Sequence, residues 1–269
     1  MTMKIAFIGA GNMGEAIVRA TLAKGVAKAS DIVTSDVSEE RRSHLNREYG
    51  VAVVSDNRHA VEKAGLVLLA IKPVSLHKVM AELKGFLQPE QPVLSIVAGA
   101  SIATLCHGLD HKNVVRAMPN TPAQIGEGVT VWTAASEVKE EHQQRVRSLL
   151  SALGRQIYVS DEKYIDMATA VSGSGPAYIF LIIESLIDAS VHIGLPRGLA
   201  QDLVLETISG AVHLVQKSAK HPAELRNLVT SPGGTTAEGL LQLEDGGLRA
   251  LLAQAIIAGY KKAKMLNQE

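Results

Sequence analysis

The chain has 269 residues, of which 46% are hydrophobic and 20% are charged, and this composition excludes an intrinsically disordered or fibrous protein. Its 27 basic residues balance its 27 acidic ones and only 3% of the residues are aromatic, so nucleic acid is not an expected partner. A single cysteine, Cys106, and the lack of a recognisable signal peptide or membrane-spanning segment favour a cytoplasmic protein, and the length predicts two domains.

Short apolar runs rich in β-branched residues alternate with amphipathic segments through the first half of the chain. Several runs, such as 66–71, lack polar alternation, which is typical of strands in a parallel sheet covered by helices on both faces. We therefore predict a doubly wound α/β domain. Its predicted strands are 4–8, 32–34, 51–54, 66–71, 93–97, 114–117, 128–132 and 156–159, with a helix from about 137 to 153 before the last strand.

The strand patterns stop at about Asp161, and the remaining chain has helical patterns separated by loops rich in glycine, serine and proline. We predict a first domain over 1–160 and an all-α second domain over 161–269. The segment 177–193 is apolar on nearly all sides, so as a helix it should be buried on most of its circumference. Because so small a domain has little interior, we expect a subunit interface to cover part of this helix.

A glycine-rich motif, Gly-Ala-Gly-Asn-Met-Gly over 9–14, follows the first predicted strand and opens a helical pattern. Gly9 permits a tight turn, Gly11 lets a pyrophosphate approach the backbone, and Gly14 allows close packing of the helix on the strand. The amino end of the helix would then face the anion. The first domain is therefore predicted to be a Rossmann-like dinucleotide-binding domain.

The end of the second predicted strand carries the residues that bear on the choice of cofactor. Asp36 lies where an acidic side chain can accept hydrogen bonds from the adenosine ribose, which favours NAD. Arg41 and Arg42 follow within two helical turns and could neutralise a ribose 2′-phosphate, while Ser35 could bond either form. The residues themselves leave NAD and NADP open.

Three loops rich in glycine, proline and hydroxyl side chains lie at 116–122, 172–178 and 230–236. Turns use such residues for purely structural reasons. The last loop, however, places Gly233 and Gly234 next to hydroxyls at the start of a helical pattern. Backbone N–H groups and the positive end of that helix would suit a small carboxylate.

These motifs, together with Ala-Ile-Lys-Pro at 70–73, occur in an order that resembles the pyrroline-5-carboxylate reductase family over nearly the whole chain. The resemblance implies a dinucleotide-binding domain followed by a helical dimerisation domain, with dimers often joined into larger rings. It also implies reduction of 1-pyrroline-5-carboxylate to L-proline, the last step of proline synthesis, with NADP or NAD as cofactor. Family members commonly carry a neutral or basic residue where this chain has Asp36, so their usual NADP preference does not transfer directly.

The resemblance assigns roles to individual residues of this sequence. It places the substrate carboxylate on Ser231, Gly233, Gly234, Thr235 and Thr236, and Thr236 is our candidate for the catalytic hydroxyl that orients the imine nitrogen or relays its proton. Among the residues that the resemblance assigns to the cofactor, the segment 118–121 would approach the nicotinamide, and Asn57 would form a hydrogen bond with the adenosine ribose. With Asp36 from the residue analysis, the predicted cofactor-binding residues are Gly9, Gly11, Asn12, Met13, Gly14, Ser35, Asp36, Asn57, Ala70, Ile71, Lys72, Pro73, Ala98, Gly99, Met118, Pro119, Asn120 and Thr121.

Two alternative functions remain open at this point. A β-hydroxyacid dehydrogenase usually carries a lysine one helical turn beyond its glycine-rich substrate loop, whereas here no lysine follows 172–176 before Lys217. A nucleotide-sensing module would need no second anion-binding loop. No metal is expected, because Gly108 and the following loop separate Cys106 and His107 from the next candidate ligands.

Overall fold

A single eight-stranded sheet organises the first part of the protein, whose residues 4–266 are described by a computed structural model. The strand order is β3-β2-β1-β4-β5-β6-β7-β8. The strands β2 and β3 are therefore added on one side of β1, and the strands from β4 onwards are added on its other side, so the strand order reverses between β1 and β4. In doubly wound folds, ligands bind at such a switch point, at the carboxyl ends of the strands. The strands are β1 (Ile5–Ile8), β2 (Ile32–Ser35), β3 (Ala52–Val54), β4 (Leu66–Leu69), β5 (Val93–Ser95), β6 (Val114–Met118), β7 (Gly128–Ala134) and β8 (Gly154–Tyr158).

Helices cover both faces of this sheet. Strand β1 shows the arrangement, because Ile5 and Phe7 pack into one buried cluster while Ala6 and Ile8 pack into another. A strand buried on both faces needs the continuous apolar pattern seen in the sequence. The predicted doubly wound α/β architecture is therefore confirmed. Its helices are α1 (Asn12–Ala23), α2 (Glu39–Tyr49), α3 (Asn57–Val61), α4 (Leu76–Leu83), α5 (Ile102–Leu109), α6 (Glu140–Ser151) and α7 (Lys163–Ala168).

One pairing differs from a fully parallel sheet. Strand β7 runs antiparallel to β6, whereas β8 is parallel to β7. The link between β6 and β7 contains only a short 3₁₀ segment, Thr121–Ile125. A parallel return needs a crossover connection of a dozen or more residues, so this shorter link reverses the strand instead.

The chain after α7 continues through a π-helical segment, Thr169–Gly173, into further helices. By internal contacts, one unit runs to Pro176 and includes the chain from Gly259 onwards, and the second is Ala177–Ala258. The domain boundary at 160 expected from the sequence follows the end of β8 and stays a prediction. The later helices are α8 (Gly175–His192), α9 (Arg197–Ser218), α10 (Pro222–Leu228), α11 (Thr235–Asp245) and α12 (Leu248–Leu266).

Helix α8 is much more exposed than its apolar sequence led us to expect. None of its residues is buried in the single chain, and Phe180 and Leu181 are 57% and 63% exposed. The helical stretch from Lys163 to His192 is long and apolar enough to cross a bilayer by length and composition, a test that core helices of soluble proteins also pass. Water-exposed apolar area of this extent marks a surface that another molecule covers.

Candidate functional site

The glycine motif forms the tight turn between β1 and α1. Gly9 has a φ of +104°, and a Cβ built on it would lie 2.5 Å from the carbonyl oxygen of Ala70. A Cβ on Gly14 would collide with the carbonyl oxygen of Gly9. Both positions therefore require glycine, one for the turn and one for close packing of α1 on the strand.

Gly11 differs from Gly9 and Gly14 because a Cβ built there would meet no atom within 4 Å in the part of the chain that the structure describes. Gly11 is also the N-cap residue of α1, and no side chain of the described residues caps this end of the helix. Open space in front of uncapped amide groups and the positive end of a helix suits an anion. The turn therefore fits the pyrophosphate of a dinucleotide, with Asn12 and Met13 in the first turn of the helix.

The end of β2 lies directly against this glycine turn. The amide of Gly9 donates to the carbonyl oxygen of Ser35 at 2.8 Å, and the amide of Ala10 donates to Oδ2 of Asp36 at 2.7 Å. The other oxygen of the Asp36 carboxylate accepts from the amide of Ser38 at 2.8 Å. The Ser35 hydroxyl is buried and has no hydrogen-bond partner among residues 4–266. Asp36 is thus fixed at the glycine turn, where the dinucleotide motif needs an acidic residue.

The two arginines that follow Asp36 bind protein groups. Arg41 donates from Nε and Nη2 to the carbonyl oxygen of Ala10, at 2.8 and 2.6 Å, and also contacts the carboxylate of Glu15. Arg42 donates from Nη1 to the carbonyl oxygens of Asp36 and Val37 at 2.6 and 3.1 Å. Ala10 is therefore held from both sides, its amide by Asp36 and its carbonyl by Arg41.

Glu15, in the first turn of α1, collects three donors from α2. His44 and Tyr49 contact its Oε1 at 2.9 and 3.0 Å, and Arg41 contacts its other oxygen. Burial raises the pKa of Glu15, but the hydrogen bonds from His44, Arg41 and Tyr49 and the charge of Arg41 outweigh burial, lowering this pKa from 4.5 to about 2. Glu15 is consequently ionised at neutral pH and fixes α2 against the dinucleotide-binding helix.

Other predicted cofactor residues follow neighbouring strands at the same edge of the sheet. Ala70 comes directly after β4, and its amide donates to the carbonyl oxygen of Ile8 at 2.8 Å. Ile71 lies beside Gly9, and Lys72 precedes a short 3₁₀ turn that begins at Pro73. Asn57 begins α3 after β3, but its amide nitrogen donates to Oε2 of Glu82 at 2.7 Å. That bond uses one of the two N–H groups of the amide, so the second N–H and the side-chain oxygen of Asn57 are left for a ribose in this conformation.

The strands β5 and β6 end beside the remaining predicted cofactor residues. Gly99 has a φ of +74°, and a Cβ built there would lie 2.6 Å from Cβ of Leu266 at the end of α12. Met118 ends β6 in a small buried cluster that Ala98 also contacts. Pro119 is buried, and Oδ1 of Asn120 accepts from the amide of Val129 at 2.9 Å. Thr121 then opens the short 3₁₀ segment. The Asn120 side chain therefore fixes the 118–121 loop to the start of β7.

A buried ionic cluster, which was not predicted from the sequence, lies next to these two loops. The Arg116 side chain in β6 is 1% exposed, and its two terminal nitrogens contact Oε1 of Glu162 at 2.8 Å and Oδ1 of Asp166 at 2.7 Å. The same Glu162 oxygen accepts from the amide of Ile102, at the start of α5, at 2.8 Å. Glu162 thus links the segment after Gly99 to the strand before Met118. The clue in the sequence was an arginine inside an apolar strand, because such a residue needs buried partners.

The predicted substrate loop belongs to the second unit. Gly233 has a φ of +66°, which favours glycine, and Gly234 is the N-cap residue of α11 without a side-chain cap. A Cβ on Gly234 would collide with Oγ of Ser231. Thr235 and Thr236 form the first turn of α11, where Thr235 is exposed and Thr236 half-buried. This loop presents hydroxyls and uncapped amides together, a donor set that suits a carboxylate.

Two family models match the chain in separate regions. The model described as pyrroline-5-carboxylate reductase dimerisation matches residues 162–266. The model described as NADP oxidoreductase, coenzyme F420-dependent, matches residues 4–99. The first covers α7 through α12 and the second covers the glycine turn and the end of β2.

Full-length relatives decide the family. Pyrroline-5-carboxylate reductase from Arabidopsis thaliana is 40% identical over 267 residues, which is 99% of this chain and 96% of that protein. The enzyme of that name from Pseudomonas aeruginosa is 40% identical over 269 residues, covering 100% of this chain and 98% of the relative. This chain belongs to the pyrroline-5-carboxylate reductase family. A crystal structure of the Plasmodium falciparum pyrroline carboxylate reductase with NADP bound matches it with a TM-score of 0.92 and 32% identity, covering 98% of each chain.

Membership in the pyrroline-5-carboxylate reductase family confirms three predictions from the sequence. The family resemblance is confirmed, the fold class is confirmed, and the chain is an NAD(P)-dependent oxidoreductase. The match to a dimerisation model further indicates an oligomeric protein that acts on a small molecule. These relatives disfavour both the β-hydroxyacid dehydrogenase and the nucleotide-sensing module.

Proposed function

We propose that this chain reduces 1-pyrroline-5-carboxylate to L-proline with a reduced nicotinamide dinucleotide, the last step of proline biosynthesis. The observation that carries the proposal is the Ser-Pro-Gly-Gly-Thr-Thr loop opening onto the amino end of α11, in a member of this reductase family. The substrate has one carboxylate and one imine. The loop offers groups suited to both, because uncapped amides attract the carboxylate and a hydroxyl is available for the imine nitrogen.

The substrate carboxylate is assigned to Ser231, Gly233, Gly234, Thr235 and Thr236. Gly233 and Gly234 leave the loop backbone without side chains, so a carboxylate can approach the amides closely. The positive end of α11 adds to this attraction. The loop would thereby fix the orientation of the ring, and correct positioning of the reactants can remove roughly 7 to 11 kcal/mol of a reaction barrier.

Thr236 is the proposed catalytic residue. A threonine hydroxyl is too weak an acid to protonate the substrate by itself, but it can hold the imine nitrogen in place or relay a proton from water. The protonated imine already carries positive charge, so the addition of hydride needs no strong protein acid. Positioning and exclusion of water would then dominate the rate enhancement.

The cofactor is assigned to the carboxyl edge of the sheet. When bound, it supplies the hydride for the imine carbon. Gly9, Gly11, Asn12, Met13 and Gly14 would hold its pyrophosphate, by the fit of the glycine turn to an anion. The adenosine side is assigned to Ser35, Asp36 and Asn57, with 70–73 alongside, and the nicotinamide side to Ala98, Gly99 and 118–121.

The chain is proposed to be a homodimer in the cytoplasm, with dimers able to join into a larger assembly. Exposed apolar side chains along α8 support an interface between copies, because water contact at Phe180 and Leu181 would be unfavourable in a monomer. Within each copy, 1–160 is proposed as the dinucleotide-binding domain and 161–269 as the dimerisation and substrate domain. Light scattering on the purified protein tests the dimer.

An assay with two directions tests the function. We expect oxidation of NADH or NADPH that depends on 1-pyrroline-5-carboxylate at neutral pH, and reduction of NAD or NADP that depends on proline at high pH. Activity with a 3-hydroxy acid but not with proline would favour the β-hydroxyacid dehydrogenase. Binding of a dinucleotide without turnover of either substrate would favour the sensing module.

A further inference from the structure

We propose that this protein prefers NADH to NADPH and that Asp36 sets this preference. The inference deepens the proposed function, since it names which of the two cofactors the dinucleotide site selects. The two cofactors differ only at the 2′ position of the adenosine ribose, which carries a hydroxyl in one and a phosphate in the other. Selection must therefore come from the charge and hydrogen-bonding capacity of the protein at that ribose.

The position of the Asp36 carboxylate is fixed by the glycine turn itself. Its Oδ2 accepts from the amide of Ala10 at 2.7 Å, and its Oδ1 accepts from the amide of Ser38 at 2.8 Å. Ala10 lies between the first two glycines of the motif and is fully buried, so the carboxylate lies directly against the turn that is assigned to the pyrophosphate. In this fold the adenosine ribose lies at the end of the second strand, next to the pyrophosphate loop.

The carboxylate keeps the capacity to bind a ribose with two free hydroxyls. A carboxylate offers about four acceptor sites, and the two amides occupy one on each oxygen. The remaining sites can accept from the 2′- and 3′-hydroxyls. A 2′-phosphate has no comparable donor at neutral pH and brings up to two negative charges to the same place.

The two arginines that follow Asp36 in the chain bind protein groups. Arg41 binds the carbonyl oxygen of Ala10 and pairs with Glu15, whose depressed pKa keeps it ionised, so these two charges neutralise each other. Arg42 donates to the carbonyl oxygens of Asp36 and Val37. A 2′-phosphate would have to recruit Arg41 at the expense of its contacts with Ala10 and Glu15, or Arg42 at the expense of the β2–α2 loop.

Steady-state kinetics with both reduced cofactors provide the first test. We expect kcat/KM for NADH to exceed that for NADPH by at least tenfold in the unmodified protein. Asp36→Asn removes the charge and keeps one oxygen for a backbone amide, so it should shift the NADH to NADPH ratio toward NADPH by about tenfold, equivalent to about 1.4 kcal/mol. Any loosening of the glycine turn affects both cofactors and cancels in this ratio. Glu40→Gln is the matched control, because it removes an exposed charge from the start of α2.

Equilibrium binding of nucleotides without a nicotinamide provides an independent readout. By calorimetry, the unmodified protein should bind 5′-AMP more tightly than adenosine 2′,5′-bisphosphate, and Asp36→Asn should narrow or reverse the difference. Glu40→Gln should leave the order unchanged. Each variant is checked by circular dichroism, so that a loss of binding through misfolding is recognised.

The outcomes separate this inference from the proposed function. Turnover of 1-pyrroline-5-carboxylate with NADPH favoured over NADH would overturn the inference and leave the function intact. An unchanged cofactor ratio in Asp36→Asn would also overturn it. Absence of turnover with either cofactor would overturn the proposed function, and the binding order of the two adenosine nucleotides would still decide the role of Asp36.

Discussion

Arg116 and Glu162 form a buried ion pair, with Nη1 and Oε1 2.8 Å apart, although 46 residues separate them in the chain. Because Glu162 also accepts from the amide of Ile102, one carboxylate holds together the two segments on which we place the nicotinamide side of the site. Helix α7, which follows Glu162, lies against the same region through Ile165, which is buried with Met118. We infer that this carboxylate positions both segments.

Glu162→Gln should lower both stability and turnover. The neutral amide still accepts a hydrogen bond but no longer balances the buried guanidinium, and an uncompensated buried charge is strongly destabilising, by about 3 kcal/mol. Asp166 retains part of the compensation, so we expect a loss of about 1 to 3 kcal/mol together with a several-fold lower kcat. Thermal unfolding and kinetics check this. Lys163→Gln, which breaks an exposed pair with Asp161, is the control and should change neither. An unchanged kcat in Glu162→Gln would contradict the inferred positioning role and would show that the cluster contributes to stability only.

Gly11→Ala should weaken cofactor binding while leaving the fold intact. The added methyl group meets no atom of residues 4–266 within 4 Å, and the φ of −68° at Gly11 is accessible to alanine. The methyl group would, however, occupy the space assigned to the pyrophosphate. We expect the KM for the cofactor to rise about tenfold or more with little change in melting temperature. Gly9→Ala is the contrasting variant and should unfold or fail to express, since both its φ and its contact with Ala70 exclude a side chain. Unchanged cofactor KM in a folded Gly11→Ala protein would place the pyrophosphate elsewhere.

Thr236→Val keeps the shape of the side chain and removes its hydroxyl. If this hydroxyl orients the imine nitrogen, kcat should fall by about 10- to 100-fold, equivalent to about 1.4 to 2.7 kcal/mol of transition-state stabilisation. The KM for the cofactor should hardly change. Thr207→Val, on the exposed side of α9, is a control for removing a hydroxyl that bonds only to its own helix. Full kcat in Thr236→Val would show that another group holds the imine.

Gly234→Ala should act on the substrate carboxylate. The new Cβ collides with Oγ of Ser231, so the serine must move and the loop must change shape. We expect a higher KM for 1-pyrroline-5-carboxylate and a parallel weakening of inhibition by proline, because both ligands carry the same carboxylate. Gly239→Ala lies on the same helix, and its new Cβ has no atom of the described residues within 4 Å, so this variant should leave both constants unchanged. If Gly234→Ala behaves like Gly239→Ala, the loop is a structural turn only.

Glu15→Gln should make the free energy of unfolding depend less on pH in the acid range. The pKa of Glu15 is lowered to about 2 in the folded protein, so its stabilising contribution is fully present above pH 4.5 and is lost as the pH falls toward 2. The side chain is 21% exposed, and we expect Glu15→Gln to be less stable than the unmodified protein by about 1 to 2 kcal/mol at pH 7. Urea unfolding at pH 7 and pH 3.5 should show this difference shrinking in acid. Glu48→Gln, exposed on α2, is the control, and a difference independent of pH would contradict the assigned contacts of Glu15.

Local sequence was sufficient for much of the fold. The short runs predicted all eight strands, and the central strands β1 and β4 are buried along their whole length, which requires an apolar pattern without polar alternation. The glycine turn could also be predicted from the sequence, since each glycine is required either by the local φ or by the close approach of other atoms to the backbone. Ends were less accurate: β4 was expected to reach residue 71 but stops at Leu69, and the helix expected over 137–153 is Glu140–Ser151. Such ends depend on hydrogen bonds that the pattern of side chains does not specify.

The sequence alone determined the family, the doubly wound sheet, the glycine turn and the presence of an acidic residue after β2. Tertiary structure decided what those residues contact. In the folded protein, Asp36 accepts a hydrogen bond from the amide of Ala10, which is 26 residues away in the chain. Arg41 and Arg42 donate to backbone carbonyl oxygens. Glu162 contacts both Arg116 and the amide of Ile102. The physical reason is that periodicity and turn chemistry are encoded by neighbours in the chain, whereas a hydrogen bond or ion pair between distant residues forms only when the packed elements bring its two partners within about 3 Å.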